Sequence, residues 1–89
     1  MSKLDDARKE INLVDEEMLK LFERRMQAVK QVAEYKKENN LPIFDASREQ
    51  ALTEKNISML KNKSLEEYYR IFFEGVLNSS KAFQKEFIK

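Results

Sequence analysis

The feature that most constrains this chain is a row of positions that recurs at alternating steps of three and four residues. The row comprises Leu4, Ala7, Ile11, Val14, Met18, Leu21, Arg25, Ala28, Val32 and Tyr35, all apolar except the arginine. Such a heptad repeat places its members on one face of an α-helix and is typical of helices that pack lengthwise against another helix. The sequence therefore predicts a long first helix over about residues 4–38.

Local signals mark the end of this helix and the start of a second one. In the segment "ENNLP", Pro42 keeps Leu41 out of the helical conformation, so the first helix ends before it. Asp45 then provides a side chain suited to capping a helix N-terminus. These signals predict a second helix over about residues 46–60.

The third helix is predicted from a capping pattern and an aromatic stripe. The segment "KNKS" interrupts the second helix, and Ser64 with Glu67 has the spacing of a capping box. Apolar residues then recur at helical spacing, which predicts a helix over about residues 65–86. We therefore expect an all-α fold of three helices that forms a single domain over residues 1–89.

The length of the first helix predicts how the chain associates. A helix of about 35 residues is ~52 Å long, whereas a compact globule of this size is only ~31 Å across. The helix must protrude, and its apolar row would then contact water. A second copy lying against the row removes that cost, so we expect a homodimer joined along the first helix, with twofold symmetry.

Composition excludes several classes of function. The 17 Lys and Arg residues nearly balance the 16 Asp and Glu residues, which disfavours a nucleic-acid partner. Without Cys or His, thiolate nucleophiles, imidazole bases and the commonest metal ligands are excluded. The charged start "MSKLDDARKE" does not resemble a signal peptide, and no apolar run is long enough to span a membrane. We therefore expect a cytoplasmic protein.

Two cations occupy the face of the first helix where a core is expected. Arg25 and Lys36 are eleven residues apart, which puts them on one face and ~16 Å apart along the axis. Arg8 lies ~25 Å from Arg25 and points about 100° away from that face. Only an antiparallel partner helix could bring an Arg8 close to Arg25.

The other two helices also carry polar groups beside their apolar stripes: Asp45, Arg48 and Glu49 at the start of the second, and Ser80 and Gln84 in the third. Buried charge is costly unless it is paired or binds a ligand. One internal, mostly cationic pocket would account for all of these residues together. Because arginine binds carboxylates through two parallel hydrogen bonds, such a pocket suits a small dicarboxylate.

Taken singly, each of these residues also has a purely structural interpretation. Arg25 could pair with an acidic residue across the dimer. Lys36 could be a cation at the C-terminal end of its helix, where it interacts favourably with the helix dipole. Asp45 could act only as a helix cap. Either Ser79 or Ser80 could face the pocket, because the length of the preceding loop is not fixed by the sequence.

The combined pattern resembles that of the all-helical chorismate mutases. The likeness covers about residues 4–86 and is clearest in the segments "RRMQAVKQVAEYK" and "PIFDASRE". The matching positions are Arg8, Arg25, Lys36, Asp45, Arg48, Glu49, Ser80 and Gln84. The resemblance implies an intertwined homodimer of three-helix chains that rearranges chorismate to prephenate in aromatic amino-acid biosynthesis. This Claisen-type reaction needs no cofactor and no metal.

The resemblance also implies a role for each residue. Arg25, Arg48 and the partner subunit's Arg8 would bind the substrate carboxylates, with Ser80 in support. Lys36 and Gln84 would contact the ether oxygen, so that Lys36, Gln84 and Arg25 form the catalytic set. Glu49, with Asp45, would hold the ring hydroxyl. Two alternatives stay open: an isochorismate-pyruvate lyase of the same fold, and a non-catalytic helical dimerisation module whose polar residues pair without leaving a cavity.

Overall fold

The computed structural model describes residues 2–88, so the two terminal residues of the predicted domain lie outside it. It contains three α-helices and one short 3₁₀ turn: α1 (Lys3–Glu38), α2 (Ala46–Ser58), the turn (Lys63–Leu65) and α3 (Glu66–Ile88). No β-strand occurs within residues 2–88. The predicted all-α class and the order of three helices are confirmed, although α2 ends slightly earlier and α3 slightly later than predicted.

A Schellman motif ends α1. Asn40 adopts a left-handed conformation with φ of 53°, which asparagine tolerates better than most residues. The backbone N–H of Leu41 donates to the carbonyl of Lys36 at 2.9 Å, and that of Asn40 donates to Lys37 at 3.4 Å. The two asparagines therefore turn the chain before Pro42 is reached.

The predicted cap of α2 is confirmed, whereas the predicted cap of α3 is wrong. The Asp45 carboxylate accepts from the backbone N–H of Arg48 at 3.1 Å. Ahead of α3, the acceptor is Asn62, whose Oδ1 accepts from the backbone N–H of Ser64 at 3.1 Å and from its hydroxyl at 2.6 Å. Asparagine readily accepts from the amide two residues ahead, so Asn62 begins a 3₁₀ turn and Ser64 lies inside it.

The α3 helix packs against both other helices and holds a small core. The buried apolar side chains are Val29, Ala33, Ile57 and Phe73. Tyr69 stacks on Phe73 with ring centroids 5.6 Å apart, and its hydroxyl accepts from the amide of Asn56 at 3.0 Å. These contacts hold α2 and the C-terminal half of α1 against α3.

The N-terminal half of α1 extends away from this core. The principal extents are 55 × 24 × 15 Å, and the radius of gyration is 16.2 Å, against roughly 12 Å for a compact chain of this length. The predicted row on this half is uncovered by the rest of residues 2–88. Its large exposed members are Leu4, Ile11, Val14, Met18 and Leu21. None of the helices in the described part of the chain is long and apolar enough to cross a membrane.

An arginine fork links α2 to α3 at the surface. Arg70 donates to both carboxylate oxygens of Glu54, at 2.8 and 3.3 Å, and lies 3.6 Å from Glu66. The hydrogen bond from Arg70, with its positive charge, holds the pKa of Glu54 below its usual value. The same pair raises the pKa of Arg70. Both side chains are largely exposed, so solvent screens the pair and its effect on stability is small.

The lowered pKa of Glu54 predicts a pH-dependent contribution to stability. The pKa is lower in the folded state than in the unfolded state, so the contribution is complete above the unfolded-state pKa. It is lost as the pH falls through the folded-state pKa. We expect Glu54→Gln to lower the urea unfolding midpoint slightly at about pH 7 and to match the wild type near pH 3.

The control is Glu34→Gln on the exposed face of α1, which should not show this pH-dependent difference. An equal loss for Glu54→Gln at both pH values would contradict the prediction, because the loss would then not depend on the carboxylate charge.

Candidate active site

A cleft of about 250 Å³ lies where α1, the loop after it, α2 and α3 meet. Seven of the eight residues singled out in the sequence line it: Arg25, Lys36, Asp45, Arg48, Glu49, Ser80 and Gln84. Its apolar wall comes from Ala28, Val29, Val32, Ile43, Leu52 and Leu77. The cleft thus combines an apolar lining with a few polar groups, as small-molecule sites do.

Arg25 is held by α3 rather than by an acidic residue. Its guanidinium donates to the Ser80 hydroxyl and lies 5.9 Å from the centroid of the Phe73 ring. The Ser80 hydroxyl in turn donates to the carbonyl of Val76 at 3.1 Å. No carboxylate forms an ion pair with Arg25 within residues 2–88. The arginine is therefore oriented while its charge stays unneutralised.

Lys36 is oriented in a similar way by the loop between α1 and α2. Its ammonium group donates to the carbonyl oxygen of Ile43 at 2.8 Å. Lys36 also lies in the last turn of α1, where a cation interacts favourably with the helix dipole. Its position therefore also agrees with the interpretation of Lys36 as a stabilising charge at the helix end. One neutral carbonyl leaves two ammonium N–H groups and the full charge available in the cleft.

Within residues 2–88, Gln84 and Ser80 are the two buried polar side chains, only 6% and 7% exposed. Oε1 of Gln84 has no hydrogen-bond partner among the described residues. Ser79 faces away from the cleft and bonds back to the carbonyl of Gly75 at 2.9 Å, so Ser80 is the serine that lines it. A buried acceptor such as Oε1 is unfavourable unless a hydrogen-bond donor reaches it.

Lys81 also lines the cleft and was missed from the sequence. Its ammonium group lies 3.2 Å from each carboxylate oxygen of Glu49 and 4.5 Å from the centroid of the Phe44 ring. A lysine beside an apolar stripe ordinarily indicates a solvated flank. The one available signal was its helical spacing from Leu77 and Gln84, which places all three on one side of α3.

Arg8 is the one predicted site residue that does not line the cleft. It is exposed on the projecting half of α1, and seventeen residues of helix separate it from Arg25 by ~25 Å. That a partner chain supplies its Arg8 to the cleft remains a prediction.

The charges in the cleft favour an anion. Four cations line it, namely Arg25, Lys36, Arg48 and Lys81, against the two carboxylates of Asp45 and Glu49, which leaves a net charge of two positives. The structure is thus that of an all-helical protein in which three helices surround a cleft whose net positive charge suits a small anionic molecule.

Comparison with known proteins identifies the family. The family model for chorismate mutase type II matches residues 7–85. The chorismate mutase of Methanocaldococcus jannaschii is 31% identical over 90 aligned residues, covering 100% of this chain and 91% of that protein. This chain belongs to the chorismate mutase type II family.

Two longer relatives match over a small part of their length. The bifunctional chorismate mutase/prephenate dehydratase of Aquifex aeolicus is 39% identical over 61 residues, which is 68% of this chain and 17% of that protein. The T-protein of Haemophilus influenzae is 38% identical over 66 residues, which is 74% of this chain and 16% of that protein. No solved structure gives a significant match.

The unpaired oxygen of Gln84 predicts that this residue lowers the stability of the fold. Leaving a buried acceptor without a partner costs about 1–3 kcal/mol. We expect Gln84→Met, an apolar side chain of similar volume, to raise the free energy of unfolding by about 1 kcal/mol. Urea unfolding at fixed protein concentration measures this change.

Gln31→Met, at an exposed position of α1, is the matched control and should leave the free energy of unfolding nearly unchanged. Destabilisation by Gln84→Met would show that the amide is hydrogen-bonded in solution, contrary to the structure.

Proposed function

We propose that this protein is an isomerase that rearranges chorismate to prephenate in aromatic amino-acid biosynthesis. The observation that carries the proposal is the state of the two cations from α1. Arg25 and Lys36 are each fixed by a neutral oxygen and have no carboxylate partner within residues 2–88. Their charges are therefore available to an anionic ligand. The cytoplasmic location predicted from the sequence is part of this proposal.

The reaction needs a folded substrate more than it needs a reactive side chain. In chorismate a carbon–oxygen bond breaks while a carbon–carbon bond forms within the same molecule, so no nucleophile or base takes part. The two carbons must approach closely, which the free molecule seldom allows. Arg25 and Arg48, from different helices, would each bind a substrate carboxylate and so hold the compact conformer, a positioning effect.

Lys36 and Gln84 would stabilise the transition state. Negative charge grows on the ether oxygen as the carbon–oxygen bond breaks, and fixed donors are most effective where charge develops. The remaining N–H groups of Lys36 and the amide N–H of Gln84 can both donate to that oxygen. Burial of Gln84 and anchoring of Lys36 mean that little reorganisation is needed during the reaction.

The acidic residues and Ser80 would orient the substrate. Glu49 and Asp45 accept hydrogen bonds, so either can hold the ring hydroxyl of chorismate. Ser80 would act through Arg25, whose guanidinium it positions.

An intertwined homodimer completes the proposed site. The exposed apolar row on the projecting half of α1 supports a second copy of the chain, because an uncovered row of this length is unfavourable in water. An antiparallel partner along α1 would bring the partner subunit's Arg8 close to Arg25, where it would bind a substrate carboxylate.

The open cleft supports an enzyme over a non-catalytic dimerisation module. A non-catalytic dimerisation module predicts that the polar residues pair with one another and leave no cavity, whereas a cleft of about 250 Å³ lies among them. An isochorismate-pyruvate lyase would need a similar cationic site for its anionic substrate, so only the choice of substrate distinguishes it from a mutase.

The test is an assay of purified protein with chorismate and, separately, with isochorismate. We expect the chorismate absorbance to fall and the product to be prephenate, identified by mass spectrometry and by its conversion to phenylpyruvate in acid. Release of pyruvate from isochorismate, with no turnover of chorismate, would establish the lyase instead. Folded, dimeric protein that turns over neither substrate would overturn the proposal.

Lys36→Met is expected to reduce kcat strongly without unfolding the protein. Loss of one donor to a developing oxyanion typically lowers kcat by about 10²–10³-fold. Chorismate turnover measures this loss, and circular dichroism checks the helices. Lys30→Met, on the exposed surface of the same helix, is the control and should retain full activity. Activity within a few-fold of the wild type would mean that Lys36 serves only the helix end.

A shared site predicts that two inactive variants complement each other. Arg8→Ala and Arg25→Ala homodimers should each be nearly inactive. When equal amounts exchange subunits, half of the dimers are mixed, and each mixed dimer has one intact site out of two. About a quarter of wild-type activity should then return. No recovery after exchange has been verified with two affinity tags would exclude a contribution from the partner subunit's Arg8.

A further inference from the structure

Among residues 2–88, Lys81 forms the ion pair that lies in the cleft. It extends from α3 to Glu49 on α2, with its ammonium group 3.2 Å from each carboxylate oxygen. Both side chains are only 23% exposed. On its other side the ammonium group lies 4.5 Å from the ring centroid of Phe44, in the loop before α2. One side chain thus connects α3, α2 and the loop at the rim of the cleft.

We propose that Lys81 is a positioning residue for Glu49: it fixes the carboxylate in the orientation that accepts the ring hydroxyl of the substrate. The inference rests on the proposed function and deepens it. A glutamate side chain has several rotatable bonds and loses conformational freedom when it binds a hydroxyl group. A lysine that contacts both oxygens restricts that freedom in advance, and each oxygen keeps a lone pair for the substrate.

Among the described residues that line the cleft, no other cation is placed to hold Glu49. Arg48 is adjacent in sequence, and neighbouring residues on a helix do not face each other. Arg25 and Lys36 bond to Ser80 and to the carbonyl of Ile43. A partly buried carboxylate needs a charge partner or hydrogen bonds. The partner of Glu49 therefore comes from α3.

The ion pair also separates the cleft from a second depression. A groove of about 420 Å³ between α2 and α3 shares three wall residues with the cleft, namely Glu49, Leu77 and Lys81. Glu49 and Lys81 therefore form part of the wall between the two depressions.

A purely structural role does not account for the pair equally well. Arg70 and Glu54 already connect α2 to α3 at the surface, with side chains 43% and 53% exposed. Lys81 and Glu49 form a second connection that is more buried and lies at the cleft wall. A structural ion pair would affect stability alone, whereas a positioning residue affects turnover through Glu49. The two roles therefore give different results in a double-mutant cycle.

The experiment measures kcat/KM for chorismate in Lys81→Met, Glu49→Gln and the double variant. We expect Lys81→Met alone to lose about tenfold in kcat/KM, and Lys81→Arg to recover most of that loss. In the Glu49→Gln background, Lys81→Met should cause less than about a twofold further loss, because the carboxylate that it positions is gone. Lys85→Met, one turn further along α3 and exposed, is the control and should match the wild type.

Additive losses in the double variant would overturn the inference, since Lys81 would then act on the substrate directly. The inference would also be overturned if Lys81→Met lowered the thermal midpoint enough to account for its whole loss of activity. Lys81→Gln, which keeps a hydrogen-bond donor without the charge, replaces Lys81→Met in the cycle if that variant fails to fold. Absence of chorismate turnover in the wild type would instead overturn the proposed function, and this inference with it.

Discussion

The first helix is longer than the rest of the chain can cover, and this mismatch governs both the fold and the site. Its 36 residues run the full 55 Å of the molecule, while α3 packs against its C-terminal half. Only four apolar side chains are buried within residues 2–88. A core that small is marginal for an independent fold. In the proposed homodimer, the same contact that covers the exposed row also delivers Arg8 to the cleft, so stability and activity would depend on one interface.

The cleft shows how a small helical chain can keep charges ready for a ligand. Arg25 and Lys36 are restrained by a hydroxyl and a carbonyl, neither of which neutralises them. Such restraint lowers the reorganisation needed when substrate binds, which is the basis of electrostatic preorganisation. The cleft also has a cost in stability, which comes from Gln84. This side chain is buried with an unpaired oxygen, whereas an apolar side chain there would leave no polar atom unpaired. Functional sites commonly depart from the most stable sequence in this way.

Helical periodicity is strong enough to predict much of this arrangement from sequence. The spacing of three and four residues predicted α1 and its excess length, and it grouped Arg25 with Lys36 on one face. The cap of α2 was also predictable, since Asp45 acts within its own turn. Features that depend on a competing neighbouring residue or on tertiary contacts could not be predicted from the sequence. Asn62 displaces Ser64 as a cap, and Lys81 becomes recognisable only when α3 brings it against Glu49 and Phe44.

The cleft contains two carboxylates, although the proposed substrate carries two negative charges. The two carboxylates do not exclude such a substrate, because the negative charge of each is compensated by a neighbouring group. Asp45 accepts from a backbone N–H at the positive end of the α2 dipole. Glu49 is paired with Lys81. Arg25, Lys36 and Arg48 have no carboxylate partner within residues 2–88. The cleft therefore presents uncompensated positive charge for the substrate carboxylates and compensated acceptors for a hydroxyl. In the proposed function, this separation would favour one orientation of a small dicarboxylate, which is the main requirement of a reaction that proceeds within a single bound molecule.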